Sequence, residues 1–195
     1  MHRFESGRRL EGSPWKEGDP FFYLTMIMYK RYTKLVSAVK GKRYTVVILL
    51  FLVLLFNLVI FPFFSSPSDP EILDTRYFYK SSDVFSYINI LTDKQKTLQI
   101  IMHASADIIY PLIYSVLLGA MTAGRFFLFI PFLLLLSDLL ENILVIILLT
   151  VINNSVLLNA AAEIVPFITN IKWNLAGLNA AMIVVLWIIR TAKQK

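Results

Sequence analysis

Four ionisable side chains interrupt stretches of the sequence that are otherwise apolar. These are Asp107, Asp138, Glu141 and Lys172. A charged residue near the centre of a membrane helix costs about 2.5–3.5 kcal/mol on insertion scales, so four unpaired ones cost on the order of 10 kcal/mol. Such residues must face inward and compensate one another, and an ionisable residue inside a membrane is a functional candidate.

The charges of these residues do not balance, because one lysine cannot neutralise three carboxylates. Either a carboxylate carries a proton, or a cation or polar ligand enters, or water does. If the site is catalytic, its chemistry is proton transfer, with Asp107, Asp138 and Glu141 as the candidate acids and bases. Lys172 and Tyr110 are then the residues that stabilise developing negative charge.

Helical spacing places polar neighbours on the same faces as these charges. His103, Asp107, Tyr110 and Tyr114 follow one another at intervals of four, three and four residues, which is one helical face. The sequence D-L-L-E-N puts Asp138, Glu141 and Asn142 on another face. We predict that these faces and Lys172 form one ligand pocket in the outer half of the membrane. Its predicted residues are His103, Asp107, Tyr110, Tyr114, Asp138, Glu141, Asn142 and Lys172. The alternative is a packing role through interhelical hydrogen bonds.

Several kinds of site are excluded or unsupported by the sequence. The chain has no cysteine, which excludes disulfides, thiolate zinc sites and cysteine nucleophiles. It has no phosphate-binding loop, dinucleotide fingerprint, zinc-protease motif or nucleophile elbow. One histidine among the acids does not make a metal-binding pattern. We therefore predict neither a cofactor nor a metal.

The elements that position these residues are predicted to be membrane helices. Hydrophobic residues make up 57% of the chain and charged residues only 16%, below the usual quarter. A helix needs about 20 apolar residues to cross a bilayer. Four segments meet this requirement, and we predict an all-α, polytopic membrane protein with a bundle of four transmembrane helices. The predicted spans are 44–64, 98–121, 126–152 and 166–189, with an outer loop at 65–97.

Lysines and arginines indicate how the spans are oriented. Residues 1–43 hold ten Lys or Arg against four acids, whereas the loop 65–97 holds four against five. The tail carries Arg190, Lys193 and Lys195. The positive-inside rule places both termini of this multi-pass protein, including the tail 191–195, in the cytoplasm.

The segment before the first span is predicted to have two parts. Residues 1–20 are polar and predicted to be disordered. Residues 21–43 mix aromatic and basic residues, which is typical of an interfacial helix on an anionic membrane leaflet. The lipid-binding candidates are Lys30, Arg31, Lys34, Lys40, Lys42 and Arg43. The alternative is a plain basic flank. These flanks account for the net charge of +6, so no nucleic-acid partner is expected.

Four short motifs carry a resemblance to a family of small four-span membrane proteins without an assigned activity. They are D-T-R-Y-F-Y at 74–79, D-I-I-Y-P-L-I-Y at 107–114, D-L-L-E-N at 138–142 and K-W at 172–173. The resemblance covers about residues 44–190 and implies that Arg76 and Tyr79 of the outer loop form a lid over the pocket. The architecture is also similar to that of the EXPERA-type sterol isomerases and the sigma-2 receptor, although the spacing of the acids differs.

We therefore predict a pocket for a lipid-like or small amphipathic ligand. Two alternatives stay open: a structural subunit of a larger membrane complex, and a proton- or cation-coupled carrier that works as a homo-oligomer. A pocket requires a cavity against the carboxylates. A carrier requires a polar path to both membrane faces, and a subunit requires carboxylates that are paired within a bundle without a cavity.

Overall fold

The computed structural model describes residues 20–64, 70, 72–122, 126–151 and 154–193. Four of its helices are long and apolar enough to cross a membrane. They are span 1 (Arg43–Phe64), span 2 (Asp93–Met121), span 3 (Phe129–Thr150) and span 4 (Ser155–Ala192). The described residues contain no strand. The predicted all-α fold with four membrane helices is confirmed.

Two further helices flank the spans. The N-terminal helix, Pro20–Val39, precedes span 1, and the loop helix, Ser81–Ile90, lies in the connection between spans 1 and 2. A turn of 3-10 helix, Leu73–Thr75, belongs to the same connection. The predicted disorder of residues 1–20 falls almost entirely outside the described residues.

The apolar core lies in two clusters at opposite ends of the bundle. Near the loop, the loop helix packs on spans 3 and 4 through residues that include Val84, Tyr87, Leu148, Ala162 and Val165. At the other end, the N-terminal helix packs on spans 2 and 3 through Tyr32, Val36, Val116, Phe132 and Leu135. Span 3 takes part in both clusters, and its polar residues lie between them.

The helix that contains span 4 begins at Ser155, eleven residues before the predicted start of the span near residue 166. The side chain of Asn154 accepts a hydrogen bond from the amide of Leu157 at 3.2 Å, which caps the helix. The following alanines favour helix, and Pro166 lies inside it. Lys172 therefore lies about 26 Å along its helix at 1.5 Å per residue, deeper than the predicted start implied.

The helix of span 2 begins at Asp93, five residues before the predicted start of the span near residue 98, and it is interrupted at Ser105. The backbone of Ser105 has φ −131° and ψ −83°, outside the helical region. Its amide bonds the carbonyl of Met102 at 3.2 Å instead of that of Ile101. Its hydroxyl donates to the Ile101 carbonyl at 2.5 Å and so replaces the backbone donor that this carbonyl loses at the break.

The N-terminal helix is fixed to span 2 by a close contact at Gly119. The Tyr32 hydroxyl donates to the Ser115 carbonyl at 2.8 Å, and burial raises the pKa of Tyr32, so the phenol keeps the proton that it donates. A Cβ atom on Gly119 would lie 2.9 Å from the Tyr32 hydroxyl and 3.0 Å from a methyl group of Val36. Only glycine allows the two helices to approach this closely.

We expect Gly119→Ala to destabilise the protein by about 1–3 kcal/mol, because the added methyl group overpacks the contact between the N-terminal helix and span 2. Gly177→Ala is the matched control, since a Cβ at Gly177 meets no atom within 4 Å. The control should be neutral or stabilising by up to about 1 kcal/mol. Thermal unfolding in detergent measures both, and equal melting temperatures for the two variants would contradict the contact.

Candidate functional site

A cavity of about 530 Å³ opens among spans 1, 2, 3 and 4 and the connection that follows span 1. Most of its wall is apolar, and its polar lining is concentrated on the helices that carry the ionisable residues. The polar residues that line it are Asn57, Thr75, Asp107, Tyr110, Tyr114, Asp138 and Lys172. Apolar walls come from Val53, Phe61, Ile72, Met102, Leu117, Leu118, Leu134, Trp173 and Ala176.

Lys172 turns inward from span 4 and pairs with two carboxylates of span 3. Its Nζ atom contacts Oε2 of Glu141 and lies 3.6 Å from Oδ1 of Asp138. Glu141 is fully buried, and the Thr169 hydroxyl donates a hydrogen bond to its other oxygen. Breaking a buried pair by removing one partner is costly, so this group fixes span 4 against span 3.

Asp138 is also bound by a tyrosine of span 2. The Tyr114 hydroxyl donates to Oδ2 of Asp138 at 2.5 Å. The ring of Tyr114 packs edge-to-face on that of Tyr110, with centroids 5.1 Å apart. Nδ2 of Asn57 donates to the Tyr110 hydroxyl at 2.8 Å. Asn57 of span 1 and Tyr110 and Tyr114 of span 2 thus form a row of polar groups along the cavity wall. The row ends at Asp138 of span 3.

Asn57 lies in a π-helical turn, Phe56–Ile60, within span 1. Such single turns are rare and recur at functional sites. The same Nδ2 atom also bonds the carbonyl of Val53 at 2.8 Å. This bond satisfies a backbone oxygen near the widened turn and directs the amide of Asn57 toward the cavity.

Asn142 completes the backbone of span 2 where a proline interrupts it. Pro111 has no N–H group, so the carbonyl of Asp107 lacks its usual helical donor. Nδ2 of Asn142 donates to that carbonyl at 2.5 Å. A buried carbonyl inside a membrane bundle has no water to replace this donor. The amide of Asn142 is therefore held in one orientation.

That orientation determines the proton position on His103. Oδ1 of Asn142 lies 3.0 Å from Nδ1 of His103, and Oδ2 of Asp107 lies 2.8 Å from the same nitrogen. Both oxygens are acceptors when Asp107 is ionised, so Nδ1 of His103 carries the proton and donates to them. His103 is fully buried.

The structure brings the predicted site residues together in two adjoining layers. Asp107, Tyr110, Tyr114, Asp138 and Lys172 line the cavity. Behind this layer, three buried residues hold it in place: His103, Glu141 and Asn142. Two of the three candidate acid/base residues, Asp107 and Asp138, thus face the cavity, while Glu141 contacts Lys172 instead. Binding of a ligand by this arrangement stays a prediction.

Sequence reasoning missed three residues of the site. Asn57 is the strongly polar residue of span 1, but a lone residue makes no i, i+3 or i+4 pattern. Thr169 lies three residues before Lys172, a spacing that places both on one face and was available as a signal. Trp173 lines the cavity, and the Nζ atom of Lys172 lies 5.9 Å from the centroid of its ring.

The two predicted lid residues differ in what they contact. The Tyr79 hydroxyl lies 2.7 Å from Oγ1 of Thr169, the residue that bonds Glu141. Arg76 is half-buried. Among the described residues, the connection reaches the cavity through Ile72 and Thr75 rather than through Arg76 or Tyr79. The side chain of Asp74, the first residue of that motif, lies outside the described part.

The described residues include no group of three or more His, Asp or Glu side chains arranged to hold a metal ion. The carboxylates of the site are instead engaged by Lys172, His103 and Tyr114.

The chain matches no family model, no curated protein and no solved structure. The resemblance to small four-span proteins, and the looser one to the sterol isomerase and sigma-2 group, stay predictions. Function is therefore argued from the geometry of the site.

Proposed function

We propose that this membrane protein binds a lipid-like or small amphipathic molecule in its cavity. The observation that carries the proposal is the combination of a mostly apolar wall with a cluster of polar groups at one place on it. A volume of about 530 Å³ falls within the roughly 300–1,000 Å³ that is usual for small-molecule sites. Such sites orient a largely apolar ligand through a few polar groups.

We infer that the two ends of such a ligand lie in different parts of the cavity. A polar head group fits beside Asp138, Tyr114 and Lys172, which supply a carboxylate, a hydroxyl and an ammonium group. The apolar part fits along Leu117 and Leu134, which are buried within the bundle. When the ligand is bound, its head group replaces some of the hydrogen bonds that these polar side chains otherwise make with one another.

Proton transfer on the bound molecule is a second candidate function. It is supported by the two carboxylates that line the cavity, Asp107 and Asp138. Asp138 lies 2.5 Å from the Tyr114 hydroxyl, so a proton donor and a carboxylate adjoin the same space. Glu141 acts indirectly in this scheme, because its contact with Lys172 holds the ammonium group near Asp138.

The two alternative functions have less support from the same geometry. A carrier needs a polar path through the bundle, but Leu117, Leu118 and Leu134 line the cavity and an apolar cluster around Phe132 lies toward the other end. A purely structural subunit needs paired carboxylates and no cavity. The pairs are present, but so is a cavity that Asp138 and Lys172 line.

Filling the cavity tests the proposal. We expect Ala176→Phe to abolish stabilisation of the purified protein by monoolein or lysophosphatidylethanolamine, because Ala176 lines the cavity and a phenyl group occupies its space. A ligand at about 100 times its Kd stabilises the folded state by about 2.7 kcal/mol, which thermal unfolding detects. Mass spectrometry of solvent extracts identifies any compound that co-purifies with the wild-type protein.

Ala181→Phe is the control, because Ala181 is exposed on another face of span 4 and does not belong to the described cavity lining. It should co-purify the same compounds as the wild type and respond equally to the probes. Asp138→Asn should weaken binding of probes with a polar head group. Equal ligand responses in wild type and Ala176→Phe would contradict a binding role for the cavity.

We further propose that both termini lie in the cytoplasm and that the connection between spans 1 and 2 lies outside. The support is the asymmetry of lysine and arginine described above. Since the chain has no native cysteine, Ser37→Cys and Ser82→Cys each provide one exposed thiol. In intact cells an impermeant thiol reagent should label position 82 and spare position 37 until the cells are opened. The reverse pattern would overturn the orientation.

A further inference from the structure

The N-terminal helix and the turn after it carry a dense positive charge that the ligand pocket does not use. Between Pro20 and Arg43 the chain has six lysines and arginines and no acid. All six of these side chains are exposed: Lys30, Arg31, Lys34, Lys40, Lys42 and Arg43. A run of this kind with no opposite charge among its own residues attracts anionic surfaces.

The helix that carries this charge is a fixed part of the bundle. Tyr32 and Val36 are buried against span 2, and Val39 belongs to the same apolar cluster. At 100° per residue, Lys30, Arg31 and Lys34 fall on the face opposite these buried residues. The basic groups thus point away from the bundle and are held at defined positions.

A tight turn places this helix beside the start of a membrane span. Gly41 has φ +89°, a left-handed conformation that glycine adopts without strain, and span 1 begins two residues later at Arg43. Lys40 and Lys42 flank Gly41. These two lysines consequently lie within a few residues of the point where the chain enters the apolar layer, which is the level of lipid head groups. The rest of the helix lies at the same end of the bundle, because Tyr32 and Val36 pack on Gly119, two residues before the end of span 2.

The exposed face of the helix also carries apolar side chains. Tyr23, Leu24 and Leu35 are exposed. At 100° per residue Tyr23 lies between Lys30 and Lys34, whereas Leu24 and Leu35 lie beside Arg31, at the border with the buried face. Aromatic and aliphatic groups interleaved with lysine and arginine are typical of a helix that lies in a membrane interface. A soluble acidic partner would account for the charges but not for these apolar residues.

We infer that the N-terminal helix, with the turn at Gly41, binds anionic phospholipid head groups of the leaflet at this end of the bundle. The bound groups are lipid phosphates, contacted by the lysine and arginine side chains, while the exposed apolar residues enter the acyl-chain boundary. The site is separate from the cavity, whose described lining contains no residue of this helix.

The test compares lipids that differ only in head-group charge. Full-length protein in nonionic detergent is titrated with dioleoylphosphatidylglycerol or dioleoylphosphatidylcholine, and retained lipids are counted by native mass spectrometry. The wild type should retain the anionic lipid preferentially. The triple variant K30Q/R31Q/K34Q should lower that preference about a hundredfold, because each of the three basic groups near the surface contributes about fivefold attraction. Salt should lower it as well.

Three controls separate this site from general effects. K30R/K34R keeps the charges and should behave as the wild type. K80Q/K94Q removes exposed lysines near the loop helix and should leave the preference unchanged. Ala176→Phe should also leave it unchanged, which separates it from the proposed pocket. The inference is overturned if the wild type shows no preference for the anionic lipid, if the triple variant retains it, or if K80Q/K94Q loses as much.

Discussion

Replacing Lys172 with methionine lowers the melting temperature of the detergent-solubilised protein at neutral pH by roughly 6–20 °C. The estimate follows from about 3–5 kcal/mol for breaking a buried ion pair and about 2–4 °C per kcal/mol in a protein of this size. Methionine keeps the length and apolar stem of lysine, so packing is conserved and the charge alone is removed. The loss arises because Glu141, fully buried, loses the ammonium group that its Oε2 atom contacts.

The same substitution at Lys193 is the control. Lys193 is exposed at the end of the same helix, and its replacement should change the melting temperature by little. Glu141→Gln in the Lys172→Met background should recover part of the loss, since a neutral amide no longer requires a buried counter-charge. This recovery measures the coupling energy between Lys172→Met and Glu141→Gln in a double-mutant cycle. No such coupling should be found between Lys193→Met and Glu141→Gln.

Acidification should also recover part of the loss in Lys172→Met, because protonating a carboxylate removes the unpaired charge. The wild type should gain no stability from the same acidification, because Lys172 already compensates the charge of its carboxylate partner. Melting curves between about pH 5 and 8 follow both proteins across this range. Parallel pH dependence in the two proteins, or equal melting temperatures throughout, would show that Lys172 is not engaged by the carboxylates.

The fold class was predictable from hydropathy, because a bilayer restricts the structures that an apolar segment can adopt. Backbone groups in a bilayer must be satisfied within the chain, so apolar segments of sufficient length are helices or closed barrels. Residues 44–64 contain few polar groups, and the structure has a helix from Arg43 to Phe64 there. Hydropathy marks the apolar part of a helix but not its less apolar ends, so it predicts a start of span 4 near Pro166, whereas the helix begins at Ser155.

Helical periodicity identified which polar residues share a face but not what each one contacts. The spacing of Asp138, Glu141 and Asn142 predicted one inward face. Their partners come from other helices and depend on depth and rotation, which a single sequence does not specify. Glu141 binds Lys172, whereas Asn142, the next residue, binds the backbone of Asp107.

The role of Asn142 shows what the sequence could have revealed. A proline inside a membrane helix leaves a carbonyl four residues earlier without its donor, and here that residue is Asp107. The missing donor has to come from another helix. A polar side chain on a neighbouring span is therefore a predictable partner for the proline, and asparagine supplies both a donor and an acceptor.

Asn142→Ala is expected to lower the melting temperature by roughly 2–12 °C. An unsatisfied buried carbonyl costs about 1–3 kcal/mol, and about 2–4 °C is lost per kcal/mol. The control is Asn174→Ala. Asn174 is exposed on span 4 and donates to the carbonyl of Asn170, so its removal should cost little.

The decisive measurement is the cost of Asn142→Ala in a Pro111→Ala background. Alanine at position 111 restores an N–H group that can bond the Asp107 carbonyl within the helix, so the amide of Asn142 is no longer its only donor. Asn142→Ala also removes the oxygen that accepts from His103, but it does so with either proline or alanine at position 111. The difference between the two costs therefore isolates the carbonyl, and we expect a coupling of about 0.5–3 kcal/mol. If Asn142→Ala costs the same with proline as with alanine at position 111, Asn142 stabilises the bundle through His103 or through packing, and the assignment to the proline break is wrong.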